Sequence, residues 1–198
     1  EDTTAATLGI IDKLTRDERW TDVIVDMIKN DNLETRRALR YFAILLQPRR
    51  YMEIGVRRGL SMAMVAATVP DCDITGLDLW IDNYAGVENP GPDFVREEMQ
   101  RVGFRGRLQL ISGDTRDTLP EFVGDQPEQF DLINVDGDHT YEGARSDLWL
   151  SILVLRKGGI LLFDDIHSDT VSKVWTDCKA EMPQYTYFDV QKFGVLYK

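Results

Sequence analysis

Apolar positions along this chain change their period near residue 50. Before it they recur at helical spacing: Leu8, Ile11 and Leu14, then Val23, Ile24, Met27 and Ile28, then Leu39, Phe42, Ala43, Leu45 and Leu46. Asp31 or Asn32 suits the cap of the last of these helices, and Pro48 follows its end. From Tyr51 onward, compact apolar runs alternate with amphipathic stretches. The runs predict strands starting at Tyr51 and over Ile74–Leu79, Leu108–Ser112, Phe130–Val135 and Ile160–Phe163. The stretches between and after them predict helices over 60–68, 92–102, 117–123, 141–156 and 168–181. Such alternation predicts an α/β fold with a doubly wound, mostly parallel sheet. Tyr185–Val190 and Phe193–Tyr197, separated by Gln191-Lys192, predict a closing antiparallel hairpin. The expected organisation is an N-terminal helical cap over 1–48 and a sheet domain over 49–198, with no internal repeat.

The first predicted strand runs into a glycine turn, Glu53-Ile54-Gly55-Val56-Arg57-Arg58-Gly59-Leu60-Ser61. In an open parallel sheet, such a turn at the carboxyl end of the first strand faces the crevice where ligands bind. Glycines let backbone approach a ligand closely, and the next helix offers unpaired N–H groups. A dinucleotide fingerprint read from Gly55 would need glycine where Arg57 and Leu60 stand. NAD is therefore disfavoured. Asp78 ends the second strand, where a carboxylate can accept both ribose hydroxyls of an adenosine ligand. The loop after it, from Leu79 to Pro92, is long and rich in turn residues, as lids over such crevices are.

Charge narrows the partners. The formal net charge of -11 over 198 residues opposes binding to phosphate backbones, so no nucleic-acid partner is expected. No run is apolar and long enough to span a bilayer, and no secretory signal pattern opens the chain, so no membrane partner is expected either. The two cysteines, Cys72 and Cys178, fit no metal or redox spacing and read as reduced thiols of a cytoplasmic protein.

Glu53-x-Gly55-x-x-x-Gly59 resembles the first motif of class I S-adenosylmethionine-dependent methyltransferases. That resemblance extends from about residue 50 to the C-terminal hairpin and implies a Rossmann-like methyltransferase sheet. It also implies a cofactor site built from Glu53, Gly55, Arg57, Gly59 and Ser61, with Asp78 on the ribose and Asp136 nearby. Trp80 would flank the adenine or line the substrate pocket, unless it serves ordinary packing. Asp114, with Thr115 beside it, would reach the adenine amino group. The competing reading makes Asp114 the N-cap of the next helix, with Thr115 or Asp117 as rivals for that position.

The fourth and fifth strands both end in acids. Asp136-Gly137-Asp138-His139 follows one, and Asp164-Asp165-Ile166-His167 follows the other. Carboxylates at close range repel one another unless protonated or bridged by a cation, and hard oxygen ligands suit magnesium, calcium or manganese. Asp136-Gly137-Asp138-His139-x-Tyr141-Glu142-Gly143, followed by Gly158-Gly159-Ile160-Leu161-Leu162-Phe163-Asp164-Asp165, resembles the branch with macrocin-type sugar O-methyltransferases and cephalosporin hydroxylase-like proteins. It is similar, more distantly, to catechol O-methyltransferase. The resemblance implies a divalent cation, magnesium first, held by Asp136, Asp164 and Asp165. His139 stands where the catechol enzyme has a lysine base, with Asp138 and His167 as rivals. The implied activity is metal-assisted O-methylation of a small hydroxylated acceptor, a sugar or natural-product intermediate, by a possible homo-oligomer. Competing readings are a non-catalytic cofactor-binding module on the same fold and a nucleotide-dependent oxidoreductase.

Overall fold

The computed structural model describes residues 35–83, 86, 88–124 and 128–198. The helices expected over 4–34, and the Asp31 or Asn32 cap, lie outside these residues. In chain order the elements are α1 (Thr35–Leu46), β1 (Arg50–Ile54), α2 (Leu60–Thr68), β2 (Asp73–Asp78), α3 (Pro92–Arg101), β3 (Leu108–Ser112) and α4 (Thr115–Val123). Then come β4 (Phe130–Val135), α5 (Tyr141–Val154), β5 (Leu155–Phe163), α6 (Asp169–Glu181), β6 (Thr186–Val190) and β7 (Phe193–Tyr197).

The strands form one seven-stranded sheet in the order β3-β2-β1-β4-β5-β7-β6. β1 to β5 pair in parallel; β7 runs antiparallel to both β5 and β6. The order reverses between β1 and β4, which places the crevice at their carboxyl ends. Helices cover both faces, so the central strands are buried along nearly their whole length, and their apolar side chains sort with period two. Tyr51, Leu132, Ile160 and Leu162 meet Leu39, Phe42, Met62, Val65 and Met99 on the face of α1 to α3. Met52, Ile54, Ile133, Leu161 and Phe163 meet Leu119, Leu148, Ile152 and Trp175 on the face of α4 to α6. A fully buried Leu or Ile contributes about 1.5–3 kcal/mol over an exposed one, so these layers hold the crevice rigid.

The largest boundary difference is at β5, which starts at Leu155 rather than Ile160. Lys157-Gly158-Gly159 reads locally as a turn, but Leu155 pairs with Phe130 across an irregularity in the β4–β5 ladder. Asp131 fastens that corner, accepting the amides of Arg49 (2.7 Å) and Arg50 (2.8 Å) and bonding the Arg156 guanidinium. Among the described residues, no helix is long and apolar enough to cross a membrane.

Candidate active site

β1 ends by delivering Glu53 into a closed environment. Its side chain is 0% exposed, and its carboxyl accepts the Tyr51 hydroxyl at 2.5 Å and the Ser61 hydroxyl at 2.9 Å. Burial pushes this carboxyl up to about 8, against the pull of those two donors. Gly55 follows with φ +83°, and a Cβ there would stand 1.7 Å from the Asp136 carbonyl oxygen. The turns after β1 and β4 therefore touch through backbone. Gly59, at φ +68°, precedes α2 and packs against Val95.

Asp78 closes the other side of this turn. Its Oδ2 accepts the Arg57 amide at 2.7 Å, while its Oδ1 accepts the Trp80 amide at 2.5 Å and the Asn89 amide side chain at 3.2 Å. The acid thus joins the glycine turn to the loop after β2. Arg57 contributes a backbone N–H here, and its side chain is exposed. Trp80 turns through φ +55° and packs on the core, with its indole N–H buried and unpartnered among the described residues. Its neighbours Leu79 and Ile81 are about half exposed beside the crevice.

Asp114 is the N-cap of α4, accepting the Arg116 amide at 2.9 Å. The Arg116 guanidinium bonds the same carboxylate at 2.5 Å and holds it down at about 2. The capping reading of Asp114 is thus realised in the structure, and an adenine contact would compete with Arg116. Thr115 is the first residue of α4.

The acids after β4 and β5 converge, though not as the expected trio. Ligand atoms of Asp136, His139 and Asp165 lie within 4.8 Å of one another. His139 Nε2 is 3.4 Å from Asp165 and 3.9 Å from Asp136. Asp164 instead accepts the Thr35 hydroxyl of α1 at 2.7 Å. Asp165 has φ +56°, which turns successive carboxylates apart, so Asp165 faces His139 while Asp164 faces α1. Burial raises Asp136, as does the Asp165 charge, and His139 opposes the shift; His139 is itself raised by these acids, Asp136 first. Burial also lifts Asp164 to about 6.

The rivals for the base separate by geometry. Asp138 accepts both the amide and the hydroxyl of Thr140 at 2.8 Å, which commits it to the start of α5. His167 Nδ1 lies 3.6 Å from Oδ1 of Asp165, whereas His139 approaches Oδ2 of the same acid. Four residues escaped the sequence reading of this site: Thr35, Tyr51, Asn89 and Asp147. Asp147 is 0% exposed beneath Gly137, and neither of its oxygens has a hydrogen-bond partner among the described residues. The alternation of apolar residues could not reveal any of them. An acid within the apolar stretch of α5 was the one available signal, and it pointed to Asp147.

Two partly exposed carboxylates and an imidazole within reach of one another are a donor set that a divalent cation can satisfy. The crevice beside them offers two buried acids, Glu53 and Asp78, around a turn where only glycine fits.

Several known proteins resemble this chain. A catechol O-methyltransferase from Mycobacterium tuberculosis is 26% identical over 122 residues, covering 61% of this chain and 50% of that protein. A fatty-acid O-methyltransferase from Mycolicibacterium smegmatis is 28% identical over 142 residues, covering 70% and 44%. The chain thus spans half or less of the length of these relatives. Among solved structures, an O-methyltransferase from Bacillus cereus in complex with SAH superposes with a TM-score of 0.64 at 16% identity, covering 98% of this chain and 97% of that one. The calicheamicin methyltransferase CalS11 gives 0.63 at 17% identity, covering 92% and 93%. These likenesses establish the fold. A family described as "Methyltransferase domain" matches residues 52–166, from β1 through the acids after β5, and because that is more than half of the chain, this protein belongs to that methyltransferase family.

Proposed function

We propose that this chain transfers a methyl group from S-adenosylmethionine to a hydroxyl of a small acceptor, with a divalent cation, magnesium first, at Asp136 and Asp165. The observation that carries this reading is the convergence of Asp136, His139 and Asp165 beside the Glu53–Gly55–Asp78 crevice. It is supported by relatives named as O-methyltransferases, by a neighbour complexed with SAH, and by CalS11, also described as a TDP-rhamnose 3'-O-methyltransferase.

In this reading Glu53 and the turn at Gly55 receive the amino-acid end of the cofactor, and Asp78 receives the ribose. The ribose hydroxyls displace Asn89, the weakest of the three donors on Asp78 at 3.2 Å. Leu79, adjacent to Asp78 and half exposed, supplies an apolar face for the base. The cofactor would bring an electrophilic methyl group on a sulfonium, and a cation held by Asp136 and Asp165 would lower the pKa of an acceptor hydroxyl. His139, held by the acids on either side, takes the hydroxyl proton. Orienting the acceptor is the protein's main contribution. An acceptor with neighbouring hydroxyls, such as a sugar or a catechol, suits this arrangement.

The test is turnover of S-adenosylmethionine to S-adenosylhomocysteine with catechol and nucleotide-sugar acceptors, with magnesium and with a chelator. Product is expected with magnesium, with at least about a 100-fold loss on chelation. Asp164→Ala with Asp165→Ala should abolish turnover and leave S-adenosylhomocysteine affinity nearly unchanged, whereas Asp78→Ala should weaken that affinity about tenfold or more. Equal loss of cofactor affinity in the double variant would overturn the cation assignment.

A further inference from the structure

Glu53 is a buried acid, and among the described residues no cationic side chain bonds to it. The charged groups that bear most on it are Asp136 and Asp78, which are acids from the ends of β4 and β2. Its two oxygens instead face hydroxyls, Tyr51 from its own strand at 2.5 Å and Ser61 from the first turn of α2 at 2.9 Å. Tyr51 is also 0% exposed, and besides Glu53 the titratable groups that bear on it are the buried Cys72 thiol and Asp136. An ionised carboxylate in such a place costs several kcal/mol unless a cation joins it. A neutral carboxyl would avoid that cost: it would still accept from the phenol, and its own O–H would turn to the Ser61 oxygen, reversing the bond in which Ser61 donates to the carboxylate. Burial already raises its affinity for that proton, to about 8.

We propose that Glu53 rests as a neutral acid and releases its proton when the cofactor's ammonium enters the glycine turn, with Tyr51 and Ser61 as positioning residues that aim the carboxylate. This rests on the S-adenosylmethionine reading above. One carboxyl O–H bond breaks, the proton passes to the buffer, and the carboxylate pairs with the incoming ammonium. The arrangement would favour ligands that carry a cationic amino group, since a neutral ligand would give Glu53 no reason to ionise.

The experiment is calorimetric titration with S-adenosylhomocysteine at pH 7 in two buffers of different ionisation enthalpy, which counts the protons exchanged. The wild type should release about one proton per ligand, and Glu53→Gln about none. Tyr51→Phe removes a donor that favours the carboxylate, so affinity should fall at neutral pH and recover as the pH is raised. A purely structural role for Tyr51 would lower affinity equally at every pH. Both substitutions preserve side-chain volume, and thermal melts establish that each variant is folded. In the infrared, the band of a protonated carboxyl should vanish on ligand binding in the wild type and be absent from Glu53→Gln. Binding without proton release, or the same release in Glu53→Gln, would overturn the inference and leave the cofactor reading standing. Failure of the folded wild type to bind S-adenosylhomocysteine would overturn both.

Discussion

Asp147 shows how a single side chain can carry the cost of a site. It is wholly buried on α5 beneath Gly137, with neither oxygen hydrogen-bonded among the described residues, and burial pushes its carboxyl from 3.8 to about 6. The folded state therefore binds this proton more tightly than the unfolded chain does. Stability contributed by the neutral acid is present at low pH and is lost as the pH rises from 3.8 to about 6, by roughly 3 kcal/mol in all. Asp147→Asn should flatten the fall in melting temperature across that window. Melting curves of both proteins between those pH values check this, and an unchanged slope would mean that the carboxylate is solvated. Glu53 slopes in the same direction from 4.5 to about 8, so the two effects overlap up to about 6 and above that only the Glu53 slope continues.

At the scale of elements, the turn after β1 and the turn after β4 depend on one glycine. The Cβ of Gly55→Ala would meet backbone, 1.7 Å from the Asp136 oxygen and 2.5 Å from its carbon, with φ +83° adding strain. Neither turn can yield without moving a central strand, so a loss of about 3 kcal/mol or more is expected. Gly103→Ala is the control, since φ there is +76° and nothing stands within 4 Å of the added carbon; about 1 kcal/mol is expected. Urea denaturation distinguishes them. A similar cost at both positions would mean that strain alone, without the β1–β4 contact, makes Gly55 necessary. α1 is tied to this region as well, through the bond from Thr35 to Asp164 at the end of β5. That link couples the helix before the sheet to the acids of the site.

For the molecule as a whole, the net charge of -11 and the acids gathered at one end of the sheet favour a cation there. A ligand that binds only the folded state stabilises it by about 2.7 kcal/mol when its concentration is 100 times the dissociation constant. Magnesium should therefore raise the melting temperature of the wild type, and Asp136→Asn with Asp165→Asn should remove most of that rise. Calcium and manganese, run beside magnesium at equal ionic strength, separate specific binding from general screening. An equal rise in the double variant would assign the effect to screening.

Much of this protein was legible without its structure because the underlying signals are local. The period of apolar residues marked the strands and helices from Tyr51 onward, and Gln191-Lys192 marked the hairpin that β6 and β7 form. The Glu53–Gly55–Gly59 spacing, Asp78 and the acids after β4 and β5 pointed to the crevice, because strand ends in a parallel sheet share one rim. Partnership was decided only by the tertiary structure. Nothing local shows that Asp165 turns towards His139 while its neighbour Asp164 turns to Thr35, 129 residues away in sequence. Nor does it show that Arg116 takes the Asp114 carboxylate, or that Tyr51 and Ser61 enclose Glu53. Sequence determined which residues reach the rim, since that follows from period and chain order. The fold determined which of them meet, since that depends on backbone dihedrals and on contacts between distant segments.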